Sequence, residues 1–181
     1  MRIIAGKLRG LKLNEFEHEN IRPTIDRVRE AIFNKIQFNI LNSNVLDLFG
    51  GTGAVSLEFV SRGAKVITVD NNSNSVKLIK QNFAKAKISP ILLEMDYVKA
   101  LKQLNADNVT FDIIFLDPPF ATDFGNKAIE YIARENMLNS DGMIIYEHVI
   151  DKEVLVPSNM EIIDEKKYGT IKVTYLGCKN D

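Results

Sequence analysis

The sequence predicts an α/β fold: a doubly wound, mostly parallel sheet with an antiparallel edge and a small N-terminal β-hairpin extension. Three observations predict it. From Val45 onward, short and almost continuously apolar runs alternate with amphipathic stretches, the pattern of a parallel sheet covered on both faces. Residues 160–177 instead hold two strand-like runs joined through Lys167, Tyr168 and Gly169, which predicts a closing antiparallel pair. Residues 2–13 hold short apolar runs broken by Gly6 and Gly10, which read as a hairpin. The extension is expected at residues 1–20 and the main domain at 21–181.

Each element has its own signal. Residues 14–22 are polar and read as a loop. Thr24 follows Pro23 and can cap a helix, with Asp26 in the first turn. Ile25, Val28, Ile32 and Ile36 then recur at spacings of three and four, an amphipathic stripe from which Arg27, Arg29 and Glu30 fall off. Strands are predicted over 45–49, 65–70, 91–96, 111–117 and 143–148. The helices between them are predicted over 54–62, closed by Gly63, then over 73–86, near 97–104, and over 126–136.

Composition narrows the function classes. Hydrophobic residues make up 45% and charged residues 26%, as in an ordinary globular protein. No run approaches the length of a membrane span, and the first residues lack the apolar core of a secretory signal. The single cysteine, Cys178, makes neither an internal disulfide nor a thiolate zinc cluster, which points to the cytoplasm. His18 and His148 lack ligand spacing, so no metal is expected. The net charge of −1 argues against a wholly basic polyanion binder. Its distribution is uneven: residues 1–35 hold eight basic and five acidic side chains, the remainder 15 and 19. Arg2, Lys7, Arg9 and Lys12 face no acidic residue within the first twelve, so this arm reads either as a phosphate-contacting surface or as a solvated hairpin.

Three constellations carry chemistry. Asp47-Leu48-Phe49-Gly50-Gly51-Thr52-Gly53 leaves a predicted buried strand and enters a helix. Glycines let such a turn approach a ligand closely, and open α/β sheets bind ligands at this end of their strands. Neither the dinucleotide fingerprint nor the P-loop ending is present. Asp47 would repel phosphate and suits the cationic amino group of an amino-acid-like ligand. Asp70 ends the next strand, where a carboxylate can accept both hydroxyls of a ribose. Asp96 ends the third, where it can either reach an adenine amino group beside Tyr97 or cap a helix.

The third constellation is Asp117-Pro118-Pro119-Phe120 after the fourth strand. The prolines fix the backbone. The carboxylate of Asp117 and the carbonyl of Pro118 can then accept both N–H bonds of a nucleobase amino group. Those bonds would draw its nitrogen toward tetrahedral geometry and aim its lone pair at an activated methyl. Phe120 can stack on the base. Glu147 and His148 end the fifth strand and read as structural or substrate-rim residues. Cys178 lacks an activating helix terminus.

With Asp47–Ala54 and Asp117–Phe120 in this order, the chain resembles class I methyltransferases of the amino-group type. Residues 1–10, 22–34, 47–64, 111–120 and 166–169 extend the resemblance over nearly the whole chain to the RsmD family, bacterial small-subunit ribosomal RNA guanine-N2 methyltransferases. The resemblance implies a Rossmann-like domain that uses S-adenosylmethionine and no metal, with a hairpin touching RNA. It implies a cofactor site of Arg22, Thr24, Phe33, Asp47, Gly51, Asp70 and Asp96, and a target-guanine site of Asp117, Pro118 and Phe120. Arg2, Lys7, Arg9 and Lys12 would meet ribosomal RNA, in a small-subunit particle, with the protein acting as a monomer. Gly50 stands where the family usually has alanine, a departure expected to be harmless. Leu11 stands where a second arginine often follows the hairpin glycine.

Other readings compete. A DNA adenine-N6 methyltransferase shares the Asp-Pro-Pro-Phe chemistry, but reading a DNA sequence usually takes a further domain. A non-catalytic RNA-binding module has no need of Asp117 between a strand and two prolines. A dehydrogenase lacks its glycine fingerprint here.

Overall fold

The computed structural model describes residues 1–17 and 23–180, the side chains of residues 23 and 24 excepted. One seven-stranded sheet runs through it: β1 (Asn44–Asp47), β2 (Lys65–Val69), β3 (Ile91–Leu93), β4 (Phe111–Leu116), β5 (Leu138–Val149), β6 (Met160–Tyr168) and β7 (Ile171–Cys178). Its order is β3-β2-β1-β4-β5-β7-β6. The first five strands are parallel, and β7 lies antiparallel between β5 and β6. The helices are α1 (Pro23–Ile36), α2 (Ala54–Ser61), α3 (Ser73–Lys85), α4 (Tyr97–Ala106) and α5 (Phe124–Arg134).

Both faces of the sheet are apolar, as the continuous strand runs require. On β4, Ile114 and Leu116 pack with α4 and α5 residues such as Leu101, Ile129 and Ile132. Ile113 and Phe115 point the other way, onto Val28, Ile32, Phe33 and Ile36 of α1. A third cluster joins Ile3 and Leu13 of the N-terminal segment to Leu57 of α2 and Ile79 and Phe83 of α3. Among the described residues no helix is long and apolar enough to cross a membrane.

Several boundaries differ from the sequence reading. The N-terminal segment turns back on itself, with Ile3 N–H donating to Leu11 O and Leu13 N–H to Met1 O. Among the described residues its only ladder contact is an isolated Arg2–Lys12 bridge, and several of its backbone groups bond to α2 instead. Ile4 N–H donates to the Glu58 carboxylate and Leu8 N–H to Ser61 Oγ. Helix α1 begins at Pro23, a residue suited to a first helical position, so Thr24 lies inside the first turn instead of capping it. Helix α5 starts and ends two residues earlier than predicted. Strand β5 begins at Leu138, and a register shift opposite Phe111 and Ile113 separates its start from the apolar run. The β6–β7 connection is Gly169–Thr170, since Tyr168 still pairs with Ile171.

Candidate active site

Order reverses between β1 and β4, the two central strands, whose neighbours run off in opposite directions. A crevice outside the carboxyl ends of such strands is the ligand position of an open α/β sheet. Two connected lobes, of about 540 and 700 Å³, occupy it. Phe49, Gly51 and Asp117 line both, and so mark their junction.

The glycine turn forms one wall. Gly51 and Gly53 take left-handed φ values of 58° and 82°, where glycine carries no Cβ penalty. At Gly50, where the family usually has alanine, the neighbouring side chains fill the space that a Cβ would take. A Cβ there would sit 2.6 Å from Thr68 Cγ2 and 2.9 Å from Ile79 Cδ1, so those side chains would have to shift. Asp47 lies beneath the turn at 1% exposure and lines neither lobe. It accepts from Ser56 Oγ at 2.7 Å. Its other oxygen has no hydrogen-bond partner among the described residues. Burial pushes its pKa up to about 6, against the opposing Ser56 hydrogen bond and with help from nearby Asp70.

The second lobe holds three of the predicted carboxylates, Asp70, Asp96 and Asp117. Asp70 accepts from the Gly51 N–H and from the Asn72 N–H, both at 2.9 Å. Each oxygen keeps a further acceptor position. Asp96 makes the helix cap that one of its sequence readings expects. One oxygen caps α4 through the Lys99 N–H at 3.0 Å, and the residue also lines the lobe. An aromatic wall stands next to them. Tyr97 lies 4.9 Å from Phe124 and 5.4 Å from Phe49, centroid to centroid. The sequence does not flag Phe124, because the helix it opens is predicted to start later.

Asp117, Pro118 and Phe120 line the same lobe, and Phe120 is 48% exposed at its edge. The first lobe runs from the junction toward α1. Phe33 lines it but is itself fully buried, with its ring edge-on to Phe59 at 4.7 Å. Sequence spacing puts Ile25 in the core stripe, yet it is 47% exposed and lines this lobe. The same spacing puts Arg29 off the stripe, yet it is buried because its Nη2 donates to Arg2 O at 2.8 Å. Nothing in the sequence singles out Asn82. Fully buried, it bonds both backbone groups of Asn14, while its amide also donates to Thr52 O, so it ties the N-terminal segment to the glycine turn.

Of the remaining predicted site residues, Arg22 and the side chain of Thr24 lie outside the described residues. Arg2, Lys7, Arg9 and Lys12 are all exposed. Arg2 bonds Gly10 O, and none of the four enters an ion pair with another described residue. Leu11 packs on the third apolar cluster, so an apolar residue there has a structural use. His148 is buried behind the strand end. It bonds Thr174 Oγ1 at 2.8 Å, and burial lowers its pKa.

Comparison with known proteins gives this site its relatives. A family model described as "Conserved hypothetical protein 95" matches residues 1–177. The Haemophilus influenzae protein named ribosomal RNA small subunit methyltransferase D is 34% identical over 94% of this chain and 90% of its own. Its Escherichia coli K12 namesake is 33% identical over 94% and 86%. A solved Escherichia coli structure, titled putative methyltransferase yhhF, superimposes with a TM-score of 0.86 at 28% identity, covering 100% of this chain and 99% of the other. The glycine turn, the Asp-Pro-Pro-Phe loop and the N-terminal segment packed on α2 therefore sit in a chain that belongs to this family, the RsmD family of class I methyltransferases.

Proposed function

We propose that this protein transfers the methyl group of S-adenosylmethionine to the exocyclic N2 amino group of a guanine in small-subunit ribosomal RNA. The observation that carries the reading is the position of Asp117, at the junction of a lobe built for a nucleoside and a second lobe running under α1. The ribosomal RNA substrate is supported by the relatives named ribosomal RNA small subunit methyltransferase D.

The residues present fit the cofactor. The second lobe offers carboxylates for hydroxyls and an amino group, aromatic rings for a base, and no phosphate-binding fingerprint. Asp70 would accept the ribose hydroxyls, Asp96 the adenine amino group, and Gly51 would bring backbone close to the ligand. Asp47 would place negative charge under the cationic end. Arg22, Thr24 and Phe33 would close the side toward α1. When bound, S-adenosylmethionine supplies a methyl group already activated on a sulfonium centre, and no metal is required.

What remains for the protein is positioning. An aryl-type amino group is a weak nucleophile because its lone pair is delocalised into the ring. The Asp117 carboxylate and the Pro118 carbonyl accept its two N–H bonds and favour the tetrahedral nitrogen of the transition state. Phe120 stacks on the base and holds it out of the RNA stack. Residues 1–20 act as an arm whose Arg2, Lys7, Arg9 and Lys12 contact phosphates. The substrate is a small-subunit particle, and the protein acts as a cytoplasmic monomer. Mass analysis of ribosomal RNA nucleosides from cells with and without the gene tests the reading. Loss of one N2-methylguanosine is expected; an unchanged nucleoside inventory overturns it.

A further inference from the structure

Glu147 bears on which base is chosen. Strand β4 pairs in parallel with β5, and the last matched pair is Leu116 with Tyr146. The next residues are Asp117 and Glu147, so two carboxylates leave adjacent strand ends side by side. Both line the first lobe, with Phe49 and Gly50. Glu147 also borders the small cavity formed by Pro118, Pro119 and Phe120. Its carboxylate makes no hydrogen bond or ion pair with another described residue. The charged or titratable groups around it come from several elements: Asp117 after β4, Arg29 on α1 and Tyr175 on β7. Arg29 is engaged by Arg2 O and Asp26 through Nη2 alone, its Nε and Nη1 being buried with no hydrogen-bond partner among the described residues, and the Tyr175 hydroxyl is likewise buried without one.

A half-buried carboxylate facing a cavity is costly unless a donor meets it there. The ligand edge that fits two neighbouring carboxylates is one that presents donors side by side. Guanine does so on its Watson–Crick edge, with N1–H next to the N2 amino group. Adenine places an acceptor, N1, beside its amino group and would turn a lone pair toward Glu147. We propose that Glu147 is a specificity-determining residue that accepts the N1–H of the target guanine while Asp117 and Pro118 hold the N2 amino group. The proposal rests on the reading of the site as a guanine-N2 methyltransferase. Burial pushes the Glu147 pKa up to about 7, and an N1–H donated to the carboxylate would oppose that rise by favouring the charged form.

The probe is 2,6-diaminopurine, which keeps the 2-amino group but has no N1–H. Small-subunit particles are reconstituted with guanine or diaminopurine at the position that the parent protein methylates, and single-turnover rates are compared. Deleting a hydrogen bond to a charged group costs about tenfold to a hundredfold. The parent should therefore prefer guanine by about that factor. Glu147→Ala should lose a similar factor on guanine and show no preference between the two bases. Glu147→Gln is the variant of matched size, and its amide should methylate diaminopurine at least as well as guanine. Both variants should bind S-adenosylhomocysteine like the parent, which shows that the fold and cofactor lobe are intact. Should either variant keep the parental preference for guanine, or Glu147→Ala keep the parental rate, the proposal is wrong while the underlying reading stands. Should the parent make no N2-methylguanosine at all, the underlying reading has failed instead.

Discussion

Asp70 Oδ2 accepts the backbone N–H of Gly51 at 2.9 Å. This bond ties the end of β2 to the glycine turn after β1, on one side of the crevice. Asp70 thus has two tasks: it holds the turn in its left-handed conformation, and its remaining acceptor positions face the cleft.

Asp70→Ala should therefore weaken S-adenosylmethionine binding by about tenfold to a hundredfold, the loss of a charged hydrogen-bond acceptor worth about 1.5–3 kcal/mol. Isothermal calorimetry with S-adenosylhomocysteine measures it. An unchanged affinity would move the ribose to another part of the cleft.

Asp47 makes stability depend on pH. Its folded-state pKa of about 6 lies above the ordinary aspartate value of 3.8. The folded state therefore binds the proton more tightly than the unfolded state does. The associated stability is fully present below pH 3.8 and is lost as pH rises to about 6. Asp47→Asn keeps the shape without the charge and should remove this slope. Its stability relative to the parent should rise by about 2–3 kcal/mol between about pH 4 and pH 7, since each tenfold difference in acidity between the folded and unfolded chains is worth about 1.36 kcal/mol. Urea titrations at a series of pH values give the comparison, and parallel curves would count against a strained charge at this position.

The exposed arm gives a third test. Replacing Arg2, Lys7, Arg9 and Lys12 together by alanine should weaken RNA binding and reduce the slope of log affinity against log salt by up to about three. Cofactor affinity should not change. If the quadruple variant methylates small-subunit particles as the parent does, the segment serves only to cover α2 and α3.

Much of this was legible in the sequence because the relevant signals are local. Apolar runs named the parallel strands, and glycines and prolines named the two turns that meet at the crevice. What the sequence hid depends on contacts between distant segments. Arg29 is buried where the Arg2 carbonyl, from a distant segment, accepts its Nη2. Asn82 matters only because Asn14 and Thr52 converge on it. Asp47 ends its strand as expected, yet it lies under the turn and not in either lobe. Glu147 reads as a structural or substrate-rim residue at a strand end, and only the β4–β5 register sets it beside Asp117.

The central claim is that Asp117 holds the target amino group at the junction of the two lobes. The direct measurement is a single-turnover reaction on purified small subunits lacking the modification, with products resolved as nucleosides by mass spectrometry. The parent should yield N2-methylguanosine. Asp117→Ala leaves Asp70 and Asp96 in place and should bind S-adenosylhomocysteine normally, yet transfer methyl groups at least about a hundredfold more slowly, the loss expected on deleting one preorganised transition-state partner. Asp117→Asn, which keeps the shape but not the charge, should be strongly impaired as well. Methyl transfer by Asp117→Ala at near the parental rate would contradict the account and reduce the Asp-Pro-Pro-Phe loop to a proline turn.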